Sequence, residues 1–269
     1  SAPAAHLSVL CNQMVNFLGI MQNEWAGAQA FSSFDTYLAP FVKVDNLTYR
    51  EVKKCIEAFI YGVNTPSRWG TQAPFSNITL DWTVPADLAE LPAIVGGKEM
   101  DFKYKDCKKE MDMVNRAFLE IMIEGDANGR GFQYPIPTYS ITRDFDWSDT
   151  ENNRLLFEMT AKYGTPYFSN YINSDMEPSD VRSMCCRLRL DLRELRKKSG
   201  GFFGSGESTG SVGVVTINMP RIAYLAKDEA DFYARLDHMM DIAARSLKIK
   251  RGVITKLLNE GLYPYTKRY

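Results

Sequence analysis

The chain has 269 residues, 45% of them hydrophobic and 24% charged, which is enough to bury a large core as one or two domains. That balance excludes a disordered, collagenous or disulfide-scaffold chain. Lysine and arginine total 32 against 33 acidic residues, a net charge of −1, so no global field favours nucleic acid or an anionic membrane as partner.

The elements follow in chain order. Leu7, Leu10, Met14, Phe17, Leu18, Met21, Trp25 and Ala28 recur at three- and four-residue steps, which predicts one long amphipathic helix reaching Ala28. A face bearing Met, Phe and Trp must pack on its own core or on a second subunit. Thr48 with Glu51 forms a capping box ahead of a helix through Val52, Ile56, Phe59 and Ile60. A turn-rich loop, Asn64 to Gly70, leads to Ile78, Leu80, Trp82 and Val84, which alternate as in a strand. Tyr104, Cys107, Met111, Val114, Phe118 and Ile121 give a further helix, closed by a turn over 125–129. The segment Phe132 to Ile141 reads as a strand, and its Pro135 and Pro137 make it an edge strand, a bulged one, or one with the missing donors turned away.

Asp149 or Thr150 caps a helix through Leu155, Leu156 and Met159 that stops at Gly164, and Pro166 to Ile172 is again strand-like. A polar loop, Asn173 to Ser183, precedes Met184-Cys185-Cys186-Arg187-Leu188. A Gly/Ser stretch over 199–213 is followed by Val214 to Ile217 as a short buried strand. Phe232, Leu236, Met239, Met240, Ala243 and Leu247 then share one long helix. Helices alternating with strands predict the α/β class with a mostly parallel sheet or barrel. No apolar run reaches membrane-spanning length, and Ser1 to His6 lacks the regions of a secretory signal. Five cysteines without regular spacing suit a reducing, cytoplasmic location.

Candidate chemistry is sparse. With only His6 and His238 and no Cys-x-x-Cys pair, no metal site is expected in this segment. Gly204 to Gly210 is glycine-rich but lacks the Lys-Ser/Thr ending of a phosphate loop and reads as a hinge. No Gly-x-Ser-x-Gly elbow joins a strand to a helix. Gln72, Ser76 and Asn77 stand where a loop enters a strand, a place where α/β proteins hold ligands and where turn formers also gather. Arg187, Arg189 and Arg193 with Asp191 and Glu194 read as a solvated helix face. The vicinal pair Cys185-Cys186 is the most informative feature. Buried cysteines usually act as small hydrophobes, but this pair lies between a polar loop and a Gly-rich stretch, which suits a sulfur projecting from a tight loop.

Several segments then converge. They are Asn64-Thr65-Pro66-Ser67-Arg68-Trp69-Gly70-Thr71-Gln72-Ala73-Pro74-Phe75-Ser76-Asn77, Phe132-Gln133-Tyr134-Pro135-Ile136-Pro137-Thr138-Tyr139, Ser183-Met184-Cys185-Cys186-Arg187, and Gly213-Val214-Val215-Thr216-Ile217-Asn218-Met219-Pro220-Arg221. With the leading Gln13 to Phe17 and Glu24 to Gln29, they make the chain resemble the anaerobic (class III) ribonucleoside-triphosphate reductases over essentially its whole length. The resemblance implies part of a ten-stranded glycyl-radical-enzyme barrel with surrounding helices and a cysteine-bearing finger loop near 184–188. In that family a glycyl radical, made by an S-adenosylmethionine/iron-sulfur activase, turns the finger cysteine into a thiyl. The thiyl removes the 3′ hydrogen of a ribonucleoside triphosphate, the 2′ hydroxyl leaves as water, and formate supplies the electrons.

Cys186, followed by Arg187, matches the family's Cys-Arg step and takes the thiyl role, with Cys185 as alternate. Asn77 is a candidate substrate contact. So is Ser211, where the family often has Asn. Lys43 is a candidate phosphate contact for dNTP or ATP effectors, with a solvated surface charge as its other reading. Residues 1–62 are expected as a helical segment at a homodimer and effector interface, and 63–269 as the first part of the catalytic barrel. The family's Arg-Val-x-Gly-Tyr radical loop, its four-cysteine zinc site and its ATP cone do not occur in the chain. The resemblance therefore implies an internal portion, inactive alone and binding none of these cofactors, of an enzyme of deoxyribonucleotide synthesis for DNA replication. Two other readings are kept. One is a glycyl-radical enzyme of the pyruvate formate-lyase kind, and the other a non-catalytic dimerisation or effector-binding module.

Overall fold

The structure, a computed structural model, describes residues 2–25, 27–65, 73–174, 181–183, 189–191 and 212–268. The chain divides into two compact units, Ser1–Glu207 and Ser208–Tyr269.

The first unit is built on a four-stranded parallel sheet ordered β1 (Gln29–Phe31), β2 (Ser76–Leu80), β5 (Ile136–Ile141), β6 (Tyr167–Asn170). Parallel neighbours need crossovers, and helices supply them. Between β1 and β2 run α2 (Phe34–Val44) and α3 (Tyr49–Asn64); α5 (Lys108–Glu124) lies between β2 and β5, and α6 (Glu151–Tyr163) between β5 and β6. Ahead of the sheet comes α1 (Leu7–Met21). The one-turn α4 (Ala86–Ala89) and the antiparallel hairpin of β3 (Pro92–Val95) and β4 (Lys98–Lys103) sit within the β2–β5 connection. A second antiparallel pair, β7 (Val181–Ser183) and β8 (Arg189–Asp191), follows β6. The mixed α/β class with a mostly parallel sheet is therefore the one expected.

Local chemistry sets most helix ends. The Glu51 carboxylate accepts the Thr48 N–H at 2.8 Å and the Thr48 hydroxyl at 2.7 Å, closing the first turn of α3. Thr150 accepts the Asn153 N–H at 3.2 Å to start α6, and Gly164 ends it in the left-handed region at φ 66°. The predicted first helix is shorter than its apolar stripe. The Asn23 side-chain amide donates to the carbonyls of Gly19 and Ile20 at 3.1 and 3.2 Å, taking up orphan acceptors of the last turn, and α1 stops at Met21. Gly27 at φ 110° then turns the chain into β1.

Two further expectations change and a third narrows. Of the three readings of the strand over 132–141 the edge one falls, because β5 is interior to the sheet, with Pro135 just ahead of it. Pro137 lies within the strand, registered with Ile78 of β2 and one residue ahead of the first β6 pair, Thr138 with Tyr167. Arg189 and Asp191, read as part of a helix face, lie in strand β8, paired with Ser183 and Val181. Val214 to Ile217 forms no strand and Val214 is 79% exposed, since no described strand pairs with it. In addition, β1 places residues 29–31 of the expected helical segment in the sheet.

Register decides what each sheet face carries. Side chains alternate along a strand, and registered partners in a parallel pair share a face. Gln29, Phe31, Ser76, Ile78, Leu80, Pro137, Tyr139 and Ile141 thus share one face. From it Ile78, Leu80, Tyr139 and Ile141 join Leu18, Phe59 and Phe118 of the helices in the main apolar cluster. Full burial of each such side chain contributes about 1.5–3 kcal/mol.

The second unit contains α7 (Met219–Leu225) and α8 (Glu229–Asn259). The Asn218 carboxamide accepts the Arg221 N–H at 3.0 Å and Pro220 lies in the first turn, so the Asn-Met-Pro-Arg run works as a helix start. Asp228 accepts the Asp231 N–H at 2.8 Å and starts α8 in the same way.

Candidate functional site

The opposite face of the sheet carries Ala30, Asn77, Thr79, Ile136, Thr138, Ser140, Tyr167 and Ser169. It is as polar as its counterpart is apolar, and none of these residues is charged. The rows across it are fixed by register: Ala30, Asn77 and Ile136; then Thr79, Thr138 and Tyr167; then Ser140 and Ser169. Successive rows stand about 6.6 Å apart along the strands.

Asn77 is the most unusual member. It is fully buried, and among the described residues neither its Nδ2 nor its Oδ1 has a hydrogen-bond partner. Buried amide groups are almost always paired, and each unpaired one costs about 1–3 kcal/mol. Thr138 and Ser169 are also buried, at 6% and 7% exposure. The Thr79 hydroxyl is committed to structure, accepting the Ser33 N–H at 3.0 Å. Ser76, adjacent in sequence, points the other way with Gln29, whose side-chain amide donates to the Leu18 carbonyl at 3.3 Å.

The end of β2 is held by a buried carboxylate. Asp35 Oδ1 accepts the N–H groups of Thr36 at 3.1 Å and Asp81 at 2.8 Å, and Oδ2 accepts the Trp82 N–H and the Asn115 side-chain amide, both at 2.9 Å. Asn115 in turn accepts the Tyr139 hydroxyl at 3.0 Å, and Thr36 donates to Asp81 at 2.6 Å. Trp82 sits at φ 64°, a left-handed conformation unfavourable for a bulky residue, and its N–H bond to Asp35 helps hold it there. Burial pushes the Asp35 carboxyl up, and the four N–H donors pull the other way. Asp35, Asn115 and Tyr139 thus tie α2, α5, β2 and β5 together at this end of the sheet.

The remaining sequence candidates fall elsewhere. Cys185, Cys186, Ser211 and Gln72 lie outside the described residues. On either side of the cysteines, β7 and β8 pair antiparallel with Ser183 opposite Arg189. Lys43, in the last turn of α2, donates to the Asp106 carbonyl at 3.1 Å, stands 3.7 Å from Glu110 and lies 5.6 Å from the centre of the Phe102 ring. It belongs to a contact between α2 and the start of α5, apart from the Asn77 row. The thiols of Cys11, Cys55 and Cys107 are all pushed up, chiefly by burial, with Cys107 at about 11, an environment that disfavours thiolate chemistry. Among the described residues no three His, Cys, Asp or Glu side chains converge as metal ligands, so a zinc donor set does not fit there. None of the described helices is long and apolar enough to cross a membrane.

Within the outer helices, a groove of about 480 Å³ runs between α1 and α3, with Cys11, Asn12 and Val15 on one wall and Lys54, Cys55 and Gly62 on the other. The helices touch at Gly62, where an added Cβ would come within 2.8 Å of the Val15 side chain. Thr138, Ser140 and Ser169 escaped sequence reading. Their signal was the alternation of hydroxyl and apolar residues in two strands, and only the register links them to Asn77.

The sequence pattern of the anaerobic ribonucleoside-triphosphate reductases matches residues 1–269. The chain belongs to that family. Solved structures share its fold. The anaerobic ribonucleotide reductase of Thermotoga maritima in complex with dATP and CTP is 21% identical with a TM-score of 0.67, over 99% of this chain and 43% of that one. The same enzyme with MES in the active site gives 22% identity and a TM-score of 0.70, covering 98% of this chain and 43% of that chain. A further anaerobic ribonucleotide reductase gives 21% identity and a TM-score of 0.69, over 98% and 41%. The chain thus spans less than half the length of these solved relatives. No curated protein sequence matches it.

Proposed function

We propose that the protein reduces ribonucleoside triphosphates to deoxyribonucleoside triphosphates by radical chemistry, and that residues 63–269 supply the first part of a ten-stranded barrel around the reacting sugar. The observation that carries this reading is the family match along all of residues 1–269. Two structural features support it. The parallel sheet packs its helices on one face and keeps an uncharged polar face with an unpartnered Asn77 on the other, as a barrel lined for a ligand requires. The antiparallel pairing of β7 with β8 on either side of residues 184–188 suits a finger that carries the cysteines inward.

In this reading Cys186, with Cys185 as its alternate, takes the 3′ hydrogen from the ribose, leaving a sugar radical from which the 2′ hydroxyl departs as water. A glycyl radical lying outside these residues and made by an activase supplies the oxidising equivalent, and formate supplies the two electrons of the net reduction. Asn77 and Ser211 contact the substrate. Residues 1–62, with α1 and the α1–α3 groove, form the homodimer and effector face. Lys43 is a phosphate contact there only if it leaves its Asp106 and Glu110 partners.

The test is turnover of 3′-deuterated CTP by the full-length enzyme with activase and formate under anaerobic conditions. Slower formation of dCTP than from unlabelled CTP is expected. Product formation with no isotope effect on competitive turnover, or acetyl transfer from pyruvate to the cysteines in its place, would overturn the reading.

A further inference from the structure

We propose that the Asn77 carboxamide is the group that tells ribose from deoxyribose, by pairing with the vicinal 2′,3′-diol, and that Thr138 and Ser169 extend the same sugar-reading face. The inference rests on the ribonucleotide reading above and adds to it a specificity-determining residue.

Both polar atoms of Asn77 are buried and unpartnered among the described residues, so the side chain has one acceptor and two donors to offer a ligand. An amide holds its acceptor and donor side by side in one plane. A vicinal diol is complementary to it: one hydroxyl donates to Oδ1 while its neighbour accepts from Nδ2. The surrounding face fits a neutral, hydroxyl-rich ligand. Next to the Asn77 row stand Thr138 and then Ser140 with Ser169, and the face holds no Lys or Arg among the described residues, so it has nothing to offer a phosphate. The triphosphate must be held by other parts of the enzyme.

The arrangement has a consequence for the reaction. Once the 2′ hydroxyl has left, Oδ1 loses its donor and is again buried and unpaired. A site built to hydrogen-bond a hydroxyl rejects the analogue that lacks it far more strongly than an apolar pocket rejects a missing methylene. Asn77 therefore favours substrate over product by between about tenfold and a hundredfold. The same penalty helps the deoxyribonucleotide to leave.

The experiment is equilibrium binding of CTP and of dCTP to the full-length protein without radical activation, for the wild type and for Asn77→Leu. Leucine keeps asparagine's branch at Cγ and removes both orphan atoms, but it is the larger side chain, so the melting temperature of the variant is measured beside its binding. Its preference for CTP over dCTP should fall from tenfold or more to about one. Retention of the wild-type preference by Asn77→Leu, or absence of any preference in the wild type, would overturn the proposal. If Asn77→Leu does not fold, Asn77→Ala carries the same comparison. Thr138→Val is expected to weaken CTP and dCTP alike by severalfold while leaving the preference intact, and unchanged affinities would remove Thr138 from the face. A wild type that binds neither nucleotide would instead bring down the ribonucleotide reading itself.

Discussion

Replacing Asp35 with asparagine changes one atom and should be among the most damaging single substitutions in the first unit. The carboxylate accepts four N–H groups, two on each oxygen, at 2.8–3.1 Å, and the residue is fully buried. Asparagine keeps one acceptor and turns the other into an NH₂ group facing two N–H donors. Whichever way the amide is placed, two hydrogen bonds are lost and two donors are left buried. A hydrogen bond to a charged acceptor contributes about 1.5–3 kcal/mol, so the loss of two should be about 3–6 kcal/mol. Urea unfolding of Asp35→Asn gives the size of the effect, and hydrogen exchange over β2 and residues 81–82 gives its place. Faster exchange at Asp81 and Trp82 is expected before any change at α6. A stability loss below about 1 kcal/mol, or unchanged exchange at Trp82, would refute the idea that this carboxylate clamps the end of β2.

Other expectations follow from the same packing. Glu120 accepts from Tyr49 at 2.7 Å, Lys53 at 2.8 Å and Arg116 at 2.9 Å, and these partners outweigh burial and hold its carboxyl down at about 2. Because the folded-state value is depressed, its stabilising contribution is present above the ordinary Glu range and is lost as pH falls toward 2. Glu120→Gln should therefore cost ~1–2 kcal/mol at about pH 6 and much less near pH 2.5, in urea unfolding at both; a pH-independent difference would contradict this. Gly62→Ala adds helix propensity worth about 1 kcal/mol, yet its Cβ would meet Val15 at 2.8 Å, so a net loss in melting temperature is expected in place of a gain. Thr48→Ala should cost ~1 kcal/mol by opening the first turn of α3, read as a lower urea midpoint.

What the sequence revealed and what it hid divide along the range of the forces involved. The ends of α3 and α6 were legible because Thr48, Glu51, Thr150 and Gly164 act on their own backbone. Helix α2 was not, because Pro40 interrupts its pattern and the buried Asp35 and Thr36 that anchor it look like surface residues until Asp81, Trp82 and Asn115 are brought to them. β1 spans only Gln29–Phe31, too few residues to show an alternation. Asn77 was visible as a residue at a loop-to-strand boundary. Its place in a polar face was not, since Thr138 and Ser169 join it only through the pairing of β2 with β5 and β5 with β6.

The central claim is that Cys186 carries out the radical step of ribonucleotide reduction, and the most direct measurement compares Cys186→Ser with Cys185→Ser in the full-length enzyme, activated anaerobically and given CTP with formate. The account predicts dCTP from the wild type and from Cys185→Ser, and none from Cys186→Ser, with all three proteins equally folded. Turnover by Cys186→Ser, or its loss in Cys185→Ser alone, would contradict it.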